Sequence, residues 1–135
     1  FWGPDSFFSR VKGVEEVIVG YAGGLKTFPT YRNIKDHSEV VRIFFNPQIL
    51  SFDSLLDLYQ QMGGLPSSPG YSRQYRAAIL VHTPEQQASA ADMVLAGRKA
   101  GRKVCLDIEP ATDFYIAEEY HQKYLDKHTG SRGMW

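Results

Sequence analysis

The run VEEVIVGYAGGLKTFPTYRNIKDHSEVVRIFF, residues 14–45, decides the fold. It holds two runs that read as strands, 14–21 with Val17-Ile18-Val19 at its centre and 40–45 with Val40, Val41, Ile43, Phe44 and Phe45. Ala22-Gly23-Gly24 breaks the first run and Asn46-Pro47 ends the second. Residues 25–38 between them are loop-like, with Pro29 and the polar stretch Asp36-His37-Ser38. Two strands in succession with no helix between them do not suit a sheet in which helix and strand alternate throughout.

Working outward, Pro4 and Asp5 mark a helix start, and Phe7, Phe8 and Val11 give it an apolar stripe closed by Lys12-Gly13. On the other side, Ser51 is an N-cap for a helix carrying Leu55, Leu56, Leu58 and Tyr59. Gly63-Gly64 and the Pro/Ser segment 66–69 stop that helix. Residues 74–82 (QYRAAILVH) read as a buried strand. Thr83 as N-cap, Pro84 at the first helical position and Gln86 as capping-box partner then start a helix that runs to about Arg98. Residues 104–108 form a short strand ended by Glu109-Pro110, with Val104, Leu106 and Ile108 on one face and Cys105 on the other. Residues 117–128, rich in Tyr and charge, read as a last helix whose Glu119 and Lys123 have favourable i,i+4 spacing. The order is helix, strand, strand, helix, strand, helix, strand, helix, and it predicts a single α+β two-layer sandwich.

The 135 residues suffice for one core. Fifteen basic and fifteen acidic residues balance, which gives no electrostatic argument for nucleic acid or an anionic membrane. No apolar run approaches a membrane span. The single cysteine, Cys105, cannot form an internal disulfide, so a reducing, cytoplasmic compartment is expected. The four histidines are scattered and form no zinc pattern.

Several segments carry groups that chemistry uses. Phe1 and Trp2 lead straight into a helix N-terminus, where a thiol just before Phe1 would be favoured as thiolate; alone, the two rings read as core aromatics. Tyr31 and Tyr75 place hydroxyls on rigid stems and can donate hydrogen bonds to a substrate oxygen, although each also suits simple packing. Glu39 stands at the entrance of the strand 40–45. If its side chain points inward, burial favours the neutral acid, which can donate a proton; a solvated acid at a strand end is the commoner case. His37 reads as a hydrogen-bonded structural histidine and Cys105 as a small buried side chain.

In order, FWG (1–3), GYAGG (20–24), PTY (29–31), HSE (37–39), QYR (74–76), the Pro-Glu-Gln helix start (84–86), IEPA (108–111), FY (114–115) and AEEYHQKYL (117–125) span nearly the whole chain. Together they resemble the A-type peptide methionine sulfoxide reductases. The resemblance implies a ferredoxin-like α+β fold with irregular loop additions and reduction of the S epimer of methionine sulfoxide, in proteins and as free amino acid. It implies a nucleophilic cysteine directly before Phe1 and one further strand ending at that cysteine, so the chain alone is expected to be inactive. Phe1 and Trp2 match the aromatic wall around the substrate methyl group, Glu39 the acid that protonates the sulfoxide oxygen, and Tyr31 and Tyr75 the two phenols beside it. No bound cofactor or metal is implied. Thioredoxin or another thiol is the implied electron donor, and a monomer is expected.

The chain departs from the family pattern in places. Pro69-Gly70-Tyr71-Ser72-Arg73 replaces the usual Asn-Asp-x-Gly, so the active-site Asp falls at Gly70. The usual His-Asp-Pro turn is replaced near Met62-Gly63-Gly64, the loop between Tyr31 and Glu39 is shorter, and the tail after Leu125 has no resolving cysteine. A non-catalytic module that binds methionine sulfoxide between Phe1 and Trp2 is the alternative reading.

Overall fold

The computed structural model describes residues 2–63, 65–68 and 73–123. Helix α1 (Trp2–Phe8) leads into strands β1 (Val14–Ala22) and β2 (Ser38–Phe45), followed by helix α2 (Phe52–Gly63). Strand β3 (Ala78–Val81), helix α3 (Pro84–Lys99) and strand β4 (Asp107–Pro110) make a β-α-β unit, and the short strand β5 (Tyr115–Ile116) follows. Two short 3₁₀ turns, Arg73–Tyr75 and Glu119–His121, complete the described elements. Helix and sheet are thus mixed within one chain, as the sequence order predicts.

The strands lie in two separate groups, an antiparallel sheet ordered β2-β1-β5 and a parallel pair β3-β4. β1 is the central strand, and Val17, Val19 and Tyr21 on one of its faces are at most 3% exposed. Gly20 is where β5 crosses closest: a Cβ there would run into the Tyr115 carbonyl and the Phe114 ring. Leu56, Met93, Val94, Val104 and Leu106 form one core cluster between α2, α3 and the approach to β4, while Phe8, Val17, Leu50 and Leu55 form another beneath α1. A third cluster holds Val19, Tyr21, Ile34 and Ala117, and burying each large apolar side chain of these clusters contributes about 1.5–3 kcal/mol.

The expected caps are present. The Ser51 hydroxyl accepts from the Ser54 N–H at 3.1 Å, and the Thr83 hydroxyl accepts from the Gln86 N–H at 3.1 Å. Gln86 reaches back past the cap, its Oε1 accepting from the His82 N–H at 2.8 Å.

Three expectations are corrected. The strand expected over 74–82 begins only at Ala78, and Tyr75 sits in a 3₁₀ turn. Polar ties hold that turn: Ser38 Oγ donates to the Arg73 carbonyl at 2.7 Å, and the Arg76 guanidinium binds Glu109 and Asp107. The strand expected over 104–108 is displaced to Asp107–Pro110, because the Cys105 N–H is taken by the Pro66 carbonyl at 2.8 Å and pairing with β3 starts only at Ala78↔Asp107. Pro110 closes that strand at its edge, where the missing N–H costs nothing.

The third correction concerns the last segment. Residues 117–123 are not an α-helix. The Gln122 side-chain amide instead imitates a strand neighbour: Oε1 accepts from the Val19 N–H at 3.1 Å and Nε2 donates to the Val19 carbonyl at 3.0 Å. Lys123, at φ +56°, turns its ammonium onto the fully buried Asp5 at 3.0 Å rather than serving an i,i+4 pair along a helix. Long-range bonds to buried partners outweigh a helix preference of a few tenths of a kcal/mol per residue. Residues 124–128 of the expected helix lie outside the described residues.

Candidate active site

The N-terminus of α1, the loop between β1 and β2, the first residues of β2 and the 3₁₀ turn before β3 converge on one face. Trp2 opens α1, with its indole stacked on Tyr31 at 6.5 Å between centroids and 17° between planes. The Tyr31 hydroxyl is hydrogen-bonded with Tyr75, and that bond, with burial second, raises the Tyr31 phenol above its ordinary value. Tyr75 is 52% exposed, so this phenol pair faces solvent. Glu39 is half-buried, pairs in register with Tyr21, and accepts from the Gln74 amide at 2.6 Å on Oε2. Its carboxylate adds to the upward push on the Tyr21 and Tyr31 phenols and opposes the lowering at His121. The structure therefore brings together Trp2, Tyr31, Glu39 and Tyr75. Phe1 and Gly70 lie outside the described residues.

Sequence reading missed the layer behind these groups. Tyr21 is fully buried, and its hydroxyl donates to Glu118 Oε1 at 2.9 Å. Burial above all, with the Glu118 carboxylate adding to it, pushes the Tyr21 phenol far up. The other Glu118 oxygen accepts from the Tyr31 N–H at 3.2 Å. Burial alone would raise the Glu118 carboxyl; its own N–H, the Tyr21 hydroxyl and the Tyr31 N–H outweigh that and hold it below the usual 4.5. His121, 1% exposed, accepts from the Trp2 indole N–H at 3.0 Å through Nδ1. Its ring lies 4.4 Å from that of Tyr31 and 4.1 Å from that of Tyr120. The segment 117–123, read as a stabilising helix, thus supplies the back wall of the site. Its pairing of buried-type rings with acids was the one available signal, and the helical pattern masked it.

Replacing Glu118 by alanine leaves the buried Tyr21 hydroxyl without this acceptor. It is expected to cost about 1–3 kcal/mol, read from the urea midpoint. Because the folded value of Glu118 is depressed, its contribution is present above about pH 4.5 and is lost as pH falls through the lower folded value. The variant is expected to lack that part of the acid-induced loss of stability.

His37 is structural, as the sequence suggested. It is fully buried, with Nδ1 accepting from the Gly24 N–H at 3.2 Å and Nε2 bonded to the Lys26 carbonyl. Together with Asp36, whose carboxylate accepts from the Leu25 and Lys26 N–H groups, it shapes the loop that carries Tyr31. Cys105 is half-buried and flanked by Val104 and Leu106 of the α3 core cluster, apart from the residues that converge on Trp2.

A cleft of about 600 Å³ runs between the facing edges of β2 and β3. Residues 40–45 form one wall and 77–80 the other, with Phe52, Leu55 and Tyr59 of α2 also lining it. Glu39 and Pro4 line it as well, so the cleft reaches the site.

Known proteins share this chain's sequence and shape. The peptide methionine sulfoxide reductase from Acidobacterium capsulatum is 38% identical over 138 residues, covering 94% of this chain and 88% of its own length. The reduced form of Mxr1 from Saccharomyces cerevisiae superposes with a TM-score of 0.82 at 27% identity, over 95% of this chain and 80% of Mxr1. Mxr1 in complex with Trx2 superposes with a TM-score of 0.60 at 23% identity, over 92% of this chain and 77% of that one. The family model described as peptide methionine sulfoxide reductase matches residues 1–134. On sequence and architecture together, the chain belongs to the peptide methionine sulfoxide reductase family.

Proposed function

We propose that this chain is the substrate-holding body of a thiol-dependent reductase that converts (S)-methionine sulfoxide, in proteins and as free amino acid, to methionine. The convergence of Trp2, Tyr31, Glu39 and Tyr75 carries the reading, because a sulfoxide needs these three kinds of partner. Phe1 and Trp2 offer apolar ring faces to the S-methyl group. The Tyr31 and Tyr75 hydroxyls offer hydrogen bonds to the sulfoxide oxygen. Glu39 offers a proton to that oxygen, which is a poor leaving group until protonated. A cysteine directly before Phe1 is the nucleophile: its sulfur attacks the substrate sulfur, two electrons pass to methionine, and the oxygen leaves on the cysteine as a sulfenic acid. A second thiol then forms a disulfide with that cysteine and releases water. A thioredoxin-type protein supplies the final electrons, a role consistent with the complex that Mxr1 forms with Trx2.

The same reading makes the cleft between β2 and β3 the seat of one further strand that precedes Phe1. With it, the two separate strand groups become one sheet of the ferredoxin-like kind. The protein acts as a monomer in a reducing, cytoplasmic setting.

The test is the protein made from its gene with whatever residues precede Phe1, incubated with N-acetyl-methionine (S)-sulfoxide and dithiothreitol. Release of methionine product is expected. A codon other than cysteine directly before Phe1 sinks the catalytic reading and leaves a module that binds methionine sulfoxide without reducing it. Calorimetric titration with a methionine-sulfoxide peptide then decides whether it binds. In the active protein, Cys105→Ser is expected to leave the first turnover unchanged, since that thiol packs beside a core cluster. Loss of the first turnover with folding preserved would make Cys105 catalytic.

A further inference from the structure

The Trp2 indole is half-buried at the start of a seven-residue helix, and its edge is held across the chain by His121. An imidazole nitrogen that accepts from an indole N–H must be bare, so the ring is neutral with its proton on Nε2. His121 cannot easily turn away from this bond. It is 1% exposed, packed against Tyr31 and Tyr120, and anchored in sequence by the Gln122 amide on Val19 and the Lys123 N–H on Asp5.

We propose that His121 is the positioning residue for Trp2: its neutral Nδ1 fixes the indole plane against Tyr31 for the substrate methyl group, and protonation of His121 releases that plane. The inference rests on the function proposed above for Trp2 and adds a residue and a pH dependence to it. A protonated ring carries hydrogen on both nitrogens, so Nδ1 and the indole N–H become two donors facing each other at 3.0 Å.

The surroundings decide where this happens. Burial lowers the His121 value below the ordinary 6.5, and the Glu118 carboxylate on its own segment and Glu39 on β2 oppose this. Tyr31 and Tyr120 also pack on the ring, and the Tyr31 phenol, held above its ordinary value, stays neutral in this range. Indole positioning is therefore complete above pH 6.5 and is lost as pH falls through the lower folded value.

The bond itself is read by the proton resonance of the Trp2 indole N–H across pH 4.5–8 in a Trp135→Phe background, which leaves Trp2 as the one tryptophan of the two. A shift with its midpoint below 6.5 is expected. An indole resonance that does not titrate there overturns the proposal without reference to any ligand. The consequence is read by titrating N-acetyl-methionine sulfoxide amide into the full chain. Affinity is expected to fall about 2- to 10-fold from pH 7.5 to below the His121 midpoint, the size of one hydrogen bond. His121→Phe keeps a ring but no acceptor and should bind at the weak level at every pH. His121→Asn, whose Oδ1 stands near the place of Nδ1, should restore tight binding and remove the pH dependence. A His121→Asn protein that folds but binds as weakly as His121→Phe overturns the positioning role. If the unaltered chain shows the indole titration but binds no methionine sulfoxide at pH 7.5, the proposed function fails while the His121–Trp2 bond stands.

Discussion

Replacing Glu39 by glutamine in the cysteine-bearing protein is expected to slow methionine sulfoxide reduction by about 10²- to 10⁴-fold, the range for removing a positioned general acid. The substitution keeps size, burial and the capacity to meet Gln74, so little change in folding is expected. The chemistry explains the size of the effect. Attack of a thiolate on sulfur leaves negative charge on the sulfoxide oxygen, and a proton delivered there as the bond breaks removes the need to expel oxide. The proposed role of Glu39 rests on its position. Glu39 is the second residue of β2, opposite Tyr21 in register, and lines the cleft that runs to Pro4. Gln74 holds Oε2 at 2.6 Å, which fixes the carboxyl plane so that the acid does not have to be oriented in each turnover. Tyr31 and Tyr75 are expected to contribute less individually, because one phenol can bind the oxygen when the other is absent. Single-turnover rates with N-acetyl-methionine (S)-sulfoxide are the measurement. A rate unchanged at neutral pH removes Glu39 from the acid role and leaves the two phenols as the only proton donors of the described cluster.

What the sequence shows of this molecule divides along contact range. β1, β2, α2 and α3 are legible because Val17-Ile18-Val19, the leucines after Ser51 and the Thr83-Pro84-Gln86 cap write local preferences that the fold obeys. The candidate residues Trp2, Tyr31, Glu39 and Tyr75 stand out through the resemblance of short motifs, and the structure gathers them on one face, though Tyr75 arrives on a turn and not on a strand. The rest is not local. Trp2 meets His121 across 119 positions, Asp5 meets Lys123 across 118, and Val19 meets Gln122 across 103. No periodicity within residues 117–123 announces those partners, and the segment's helix-favouring composition points the other way. The same holds for the parallel pairing of β3 with β4, which depends on how α3 packs and not on either strand's own pattern. Cys105 reads from its alternation with Val104 and Leu106 as a small buried side chain on a strand, but it is half-buried and lies before β4, its N–H bound to the Pro66 carbonyl at 2.8 Å.

If the proposed function holds, adding the residues encoded ahead of Phe1 is expected to raise the melting temperature by at least about 10 °C, the equivalent of about 3 kcal/mol for a domain of this size. Among the described residues, β2 pairs with β1 alone and β3 with β4 alone, so each presents one edge of unpaired backbone groups toward the cleft. One extended segment lying between two such edges satisfies both, and each net backbone bond contributes about 0.5–1.5 kcal/mol. Its inward side chains would fill apolar space beside Phe52, Leu55 and Tyr59 at about 25 cal/mol per Å² buried. Ordering the segment costs about 1–2 kcal/mol per residue, which consumes most of that gain and leaves the few kcal/mol expected. Pro4 lines the same cleft, so a segment joined to Phe1 reaches it without a long connection and ends beside Glu39. The cleft would then do two things at once: complete the sheet and set the residue before Phe1 against the proton donor. The measurement is paired thermal unfolding and amide exchange of the chain with and without its encoded upstream residues. Protection gained along both β2 and β3 is the expected mark of an inserted strand. Equal melting temperatures, or protection gained on neither edge, would show that the cleft holds no strand and that Glu39 does not meet its nucleophile by this route.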